Sequence, residues 1–178
     1  MIKNESELKL MYSQKQIDER VKELADEINA IFSPDETLYV VCVLKGSILF
    51  FSDIVKQLKM PTQLEFIRLN SYRNEEKSSR HFYEVEMTLS DLNNQNVLVV
   101  EDIVDTGYTL RFIHNYFNQK YNMKNFKTVA LLNKACARVE DVDADLYGFE
   151  IEDKFVVGYG LDSCGYYRNL DYIGYFEI

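Results

Sequence analysis

Apolar positions along the chain follow two kinds of pattern, helical spacing and short unbroken runs. Ile17, Val21, Leu24, Ile28 and Ile31 recur every three or four positions, which places them on one face of a helix. Ser13 and Gln16 stand just ahead in the S-x-x-Q spacing of a capping box, where two side chains satisfy N–H groups that the first turn leaves orphaned. This helix is expected to stop before Ser33-Pro34, because a residue preceding proline is pushed out of helical geometry. Leu38 to Leu44 is an unbroken, valine-rich run, the pattern of a strand buried on both faces. Gly46 to Leu58 returns to helical spacing through Ile48, Leu49, Phe51, Ile54, Val55 and Leu58.

The same alternation continues downstream. Gln63 to Asn70 reads as a strand nearer a sheet edge, since Glu65 and Arg68 interrupt it. Asn96 to Val100 is another buried run, Tyr108 to Tyr121 a helix packing through Leu110, Phe112, Ile113, Tyr116 and Phe117, and Phe126 to Leu132 a further strand. Strands separated by helices predict an α/β fold, a mainly parallel sheet flanked by helices. Asn70 to His81, NSYRNEEKSSRH, offers hardly any side chain to a core and is expected to be a surface excursion, either a solvated hairpin tip or a functional lid. Strand character resumes over Phe82 to Leu89. Cys136 to Asp153 reads as charged and irregular, followed by KFVVGYGLD and a last aromatic strand around Tyr172 to Phe176. The first helix and this last segment are expected to pack together as a small hood beside the sheet. With 178 residues, 47% of them hydrophobic, the chain suits one core and hence a single domain over residues 1–178.

Charge and composition narrow the chemistry. A formal charge of −9 disfavours nucleic acid, which needs a broad basic face to displace counterions. Small phosphorylated ligands remain open, because local N–H groups and a few cations hold them on an acidic protein. The opening MIKNESELKL contains no long apolar run, so neither a secretory signal nor a membrane span is expected, and a cytoplasmic location is. Cys42, Cys136 and Cys164 form no CxxC pair, and the histidines are His81 and His114 alone. A zinc site or a histidine triad is thus poorly supported, and any metal is expected to have oxygen ligands.

The run Val97 to Val100 ends in Glu101-Asp102, placing two carboxylates where ligands collect in open parallel sheets, at the C-terminal edge. Two neighbouring desolvated acids are costly unless they meet sugar hydroxyls or a hydrated divalent cation. Asp105-Thr106-Gly107-Tyr108-Thr109 follows at once, combining hydroxyls, a glycine and a helix start in an arrangement suited to a phosphate. The plainer alternative is that Asp105 or Thr106 only caps the helix. Lys45, in the LKGS turn after the first buried strand, should reach the same edge, and Lys134 ends the LLNK strand; either also fits an ordinary exposed lysine. A response-regulator receiver likewise uses a strand ending in two acids, but an acid pair near residue 101 leaves too little chain for its remaining units.

VLVVEDIVDTGYTL, Val97 to Leu110, closely resembles the 5-phosphoribosyl-1-pyrophosphate (PRPP) binding motif of type I phosphoribosyltransferases. The resemblance implies that Glu101 and Asp102 hold the ribose hydroxyls and that Asp105, Thr106, Gly107, Tyr108 and Thr109 bind the 5-phosphate. LKGS is similar to the pyrophosphate loop of the hypoxanthine-guanine members, in which the Lys45–Gly46 peptide can be cis, and Ser71-Tyr72 resembles their flexible loop. Lys154 to Asp162 is similar to their purine-binding stretch. Implied roles are stacking on the base by Phe155, backbone hydrogen bonds from Val156, a contact from Lys134 to the 6-oxo group, and pyrophosphate binding by Lys45, Gly46 and Arg168. Mg²⁺ is implied as cofactor, with Glu101, Asp102 and Asp162 as its ligands, and Asp105 as the catalytic proton acceptor near N7. The implied activity is purine salvage by a homodimer or homotetramer whose partners are PRPP and a purine base. Gly160, Ser163, Cys164 and Gly165 leave the ranking of bases open, and a non-catalytic sensor on the same fold is the alternative that Lys45, Lys134, Asp162 and Arg168 count against.

Overall fold

The computed structural model describes residues 7–73, 81–85 and 89–177, with the backbone alone at 70–73 and 81–84. Along the chain run β1 (Leu8–Tyr12), α1 (Gln14–Ile31), β2 (Leu38–Leu44), α2 (Ile48–Val55), β3 (Thr62–Arg73), β4 (His81–Val85), β5 (Asn96–Val104), α3 (Tyr108–Lys120), β6 (Asn125–Asn133), β7 (Leu146–Glu150), β8 (Val156–Val157) and β9 (Ile173–Phe176). The main sheet has the order β4-β3-β2-β5-β6-β7. All its neighbours are parallel except the β3–β4 pair.

The period of two along β2 and β5 explains why helices cover both faces. Val40, Cys42, Leu98 and Val100 point into a core shared with Ile17, Val21, Leu24 and Ile28 of α1 and Phe50, Phe51 and Ile54 of α2. The intervening Val41, Val43, Val97 and Val99 point the other way, onto Ile113 and Phe117 of α3. An unbroken apolar run is the sequence of a strand that must satisfy both layers. From β2 the chain moves through α2 to β3 on one side, whereas β5 and β6 extend on the other. The C-terminal ends of β2 and β5 therefore flank a topological switch point, where ligands bind in sheets of this kind.

Helix α1 begins with the expected capping box: the Ser13 N–H donates to Gln16 Oε1 at 3.0 Å and the Gln16 N–H to Ser13 Oγ at 3.4 Å. It ends at Phe32, already extended with φ −103°. A second sheet, β1-β9-β8, is antiparallel and forms the hood. The hood is built from the N- and C-terminal segments, as expected: the last segment takes β1 as its strand partner and shares a core with α1 through Ile173, while α1 packs further on α2 and β7. The alternating Leu8–Tyr12 stretch supplies a free strand edge and α1 does not.

Two readings change. Cys136–Asp153 is not irregular throughout, because Leu146–Glu150 adds a parallel edge strand to β6. The excursion expected from Asn70 begins later, since β3 runs on to Arg73 and pairs with β4, Ser71 opposite Tyr83 and Tyr72 opposite Phe82. Ladder hydrogen bonds use the backbone, so a polar segment extends a strand without any core contact. Residues 74–80, the middle of that excursion, and 86–88 of the expected Phe82–Leu89 strand lie outside the described residues. Among the described residues, no helix is long and apolar enough to cross a membrane.

Candidate functional site

Glu101 and Asp102 sit on β5 at the switch point. Glu101 is 8% exposed, and its Oε2 is buried without a hydrogen-bond partner among the described residues. Burial first, and then the neighbouring Asp102 carboxylate, pushes the Glu101 carboxyl well above its usual range. Burial also raises Asp102, against the opposing effects of the Glu101 side chain, of the Ile103 N–H, which donates to Asp102 Oδ1 at 2.7 Å, and of Arg168. An acid left this costly is explained by a ligand that brings donors or a cation to it.

The Asp102 carboxylate lies directly over Gly46, where any Cβ would overlap it, and a Cβ on Gly160 would overlap the Gly46 carbonyl. Two close backbone approaches thus join three segments far apart in sequence: the turn after β2, the end of β5 and the stretch after β8. The turn contains a cis peptide at Leu44–Lys45, one bond earlier than the Lys45–Gly46 peptide that the resemblance pointed to. Ser47 is fully buried, its hydroxyl donating to Val43 O at 2.7 Å.

Residues 101–107, with Thr109 and Leu110, line a concavity of about 160 Å³. Gly107 is the N-cap of α3 with φ +89°, and no side chain caps this helix. Neither Asp105 nor Thr106 is spent on capping. The Thr106 and Gly107 N–H groups have no hydrogen-bond acceptor among the described residues, so amides and a helix N-terminus face the space where an anion would lie.

Lys134 follows β6 and is 8% exposed. Its ammonium lies 3.9 Å from Asp105 Oδ2 and 3.0 Å from Asp153 Oδ1. Phe155 is half exposed while Val156 beside it is buried, so the plain reading of both as core holds for Val156 alone. Arg168 bonds the Gly160 carbonyl at 2.6 Å and pairs with Asp162 at 2.5 Å. Lys45 is exposed at the rim. Asp162 does not join Glu101 and Asp102 in a three-ligand cluster among the described residues. Ser71 and Tyr72 are described through their backbone in β3 only. Sequence reasoning missed Asp153 and Arg138; both lie in charged stretches where no spacing distinguishes them from solvated residues.

An acid pair, an amide-lined concavity and flanking cations at a switch point define a site for a hydroxylated, phosphorylated ligand. The phosphoribosyl transferase domain matches residues 11–163. The hypoxanthine-guanine phosphoribosyltransferase of Aquifex aeolicus is 42% identical over 92% of this chain and 91% of its own, and that of Bacillus subtilis 36% identical over 98% and 95%. A hypoxanthine phosphoribosyltransferase structure from Staphylococcus aureus superposes with a TM-score of 0.89 at 33% identity, covering 97% of this chain and 93% of that one. The chain belongs to the phosphoribosyltransferase family.

Proposed function

We propose that this chain transfers the 5-phosphoribosyl group of PRPP to N9 of a 6-oxopurine, hypoxanthine or guanine, giving the nucleotide and pyrophosphate. The observation that carries the choice of base is the 3.9 Å pairing of the Lys134 ammonium with the Asp105 carboxylate. A 6-oxopurine presents an acceptor at O6 beside N7, and a donor–acceptor pair at this spacing matches the tautomer protonated at N7. Adenine places an amino donor where Lys134 also donates.

In this reading the C1–N9 bond forms as the C1–oxygen bond to pyrophosphate breaks, through a transition state with oxocarbenium character. Glu101 and Asp102 orient the ribose hydroxyls beside the positive centre, and the proton on N7 passes to Asp105. The 5-phosphate lies on the Thr106 and Gly107 amides with the Thr106 and Thr109 hydroxyls. Phe155 stacks on the base and the Val156 backbone meets its edge. Lys45, Gly46 and Arg168 receive pyrophosphate. The orphaned Glu101 oxygen and the paired carboxylates suit a hard cation such as Mg²⁺, which takes one or two carboxylates and otherwise water and substrate oxygens. Glu101 and Asp102 are the proposed carboxylates for it, with Asp162, paired with Arg168 and outside any three-ligand cluster among the described residues, proposed as a separate contact; when bound it would neutralise charge on the departing pyrophosphate.

The test supplies PRPP and Mg²⁺ with hypoxanthine, guanine, xanthine or adenine and measures nucleotide and pyrophosphate. Turnover of 6-oxopurines with poor use of adenine is expected. Rapid use of adenine without 6-oxopurine activity rejects the assignment.

A further inference from the structure

The partly buried Arg138 guanidinium has no part in the site as described above. Arg138 contacts the Asp105–Thr109 loop but does not line the concavity. Its side chain is 14% exposed. Its Nη1 donates to the Asp105 carbonyl at 2.6 Å, and its Nη2 donates to Asn133 Oδ1 and pairs with Asp143 at 3.1 Å. Its stem presses on Gly107, where a Cβ would stand 3.1 Å from Arg138 Cδ. The two residues after it hold the next carbonyl, for the Val139 and Glu140 N–H groups both donate to Thr106 O, at 2.9 and 3.0 Å.

These contacts fix the direction of two successive peptides. In a trans peptide the carbonyl and the following N–H point opposite ways. Tying the Asp105 carbonyl to Arg138 turns the Thr106 N–H away from Arg138, and tying the Thr106 carbonyl to the 139–140 backbone does the same for the Gly107 N–H. Both amides lack an acceptor among the described residues. Turned alone, amides and carbonyls of a short loop would sample both orientations; held in this way, they form an anion cradle before any anion arrives, and the cost of ordering is met in folding. Arg138 suits this task because a planar fork bonds several acceptors at once, whereas a lysine ammonium is a single point on a flexible stem.

We propose that Arg138 is a positioning residue for the phosphate of the sugar donor, acting without touching the ligand through the Asp105–Thr106 peptide that its guanidinium holds, beside the Thr106–Gly107 peptide held by the backbone of residues 139 and 140. The inference rests on the reading that this loop binds the 5-phosphate. It predicts an effect specific to the phosphoribosyl half of the reaction. Arg138→Lys and Arg138→Ala raise KM for PRPP about tenfold or more, the scale of a lost charge-assisted hydrogen bond. KM for hypoxanthine stays within about twofold, and kcat per folded molecule falls less than kcat/KM for PRPP, as expected for lost uniform binding.

The experiment is steady-state kinetics of the full chain and both variants, with calorimetric binding of ribose 5-phosphate and, separately, of pyrophosphate with Mg²⁺. The inference expects weaker ribose 5-phosphate binding in step with the rise in PRPP KM, pyrophosphate affinity unchanged, and Lys failing to restore Arg behaviour. An unchanged PRPP KM in Arg138→Lys overturns it, and so does equal weakening of both ligands, which marks a general loss of structure. Where Arg138→Ala does not fold, Arg138→Lys decides. Failure of the wild-type chain to form nucleotide instead removes the phosphate-loop reading, and the inference with it.

Discussion

At the scale of single residues, the site is built from groups that are expensive to bury. Glu101 is the clearest case. Burial and the neighbouring Asp102 carboxylate raise its pKa, so the folded chain keeps its proton at pH values where the unfolded chain has lost it. A raised folded-state pKa means that stability is fullest below the unfolded value and is lost as pH climbs through the folded one. Glu101→Gln removes this penalty. The variant should melt higher than wild type by roughly 2–4 °C at neutral pH, equivalent to about 1 kcal/mol in a chain of this size, with the gap closing below the ordinary carboxylate range. It should at the same time bind PRPP more weakly. Scanning calorimetry across pH checks the first effect, and a gap that persists unchanged in acid contradicts the assigned cause. Asp105 makes a different prediction, since half its side chain is exposed and its partner is Lys134. Asp105→Asn should lower turnover by roughly 10² to 10⁴ while PRPP binding is largely kept, the usual reach of general base catalysis. Near-normal turnover removes it from the proton-transfer role.

At the scale of elements, what a segment's own residues decide was legible and what a distant partner decides was not. Ser13, Gln16 and Pro34 mark both ends of α1 through local bonds and local sterics, and the helix runs Gln14–Ile31 as those signals require. Ser13→Ala should cost about 1 kcal/mol by removing the cap without moving either KM; a changed KM would show that α1 reaches the site. Strand β2 carries its own evidence in seven consecutive residues and matches its expected bounds. In contrast, Leu146–Glu150 has a half-buried pattern broken by Gly148 and becomes a strand because Val129, Ala130, Leu132 and Asn133 offer it an edge. β1 depends on pairing with β9, Leu8 opposite Phe176. Contacts of such long separation leave no periodic trace in either segment.

At the scale of the whole molecule, the hood and the sheet share one core, in which Val156, Tyr159, Leu161 and Ile173 pack with α1, α2 and one face of β2. The Tyr159 hydroxyl donates to Asp53 Oδ2 at 2.7 Å, tying the stretch after β8 to α2. Family resemblance adds a proposed homodimer or homotetramer. Light scattering on the purified protein should give two or four times the 21.0 kDa chain mass, and a particle of single-chain mass at micromolar concentration would sink the proposal.

The sequence by itself determined the alternating strands and helices, the acid pair at the end of a buried strand and the glycine-bearing loop after it. These are contiguous, and their physics is that of hydrophobic period, local capping and backbone freedom. Only the tertiary structure decided that Gly46, Asp102 and Gly160 meet, that Lys134 stands between Asp105 and Asp153, and that Arg138 grips the loop. Each of these joins residues from separate elements, and their distances are set by sheet order and helix packing. A side chain's neighbours across such a gap depend on how the layers assemble, which no spacing along the chain encodes.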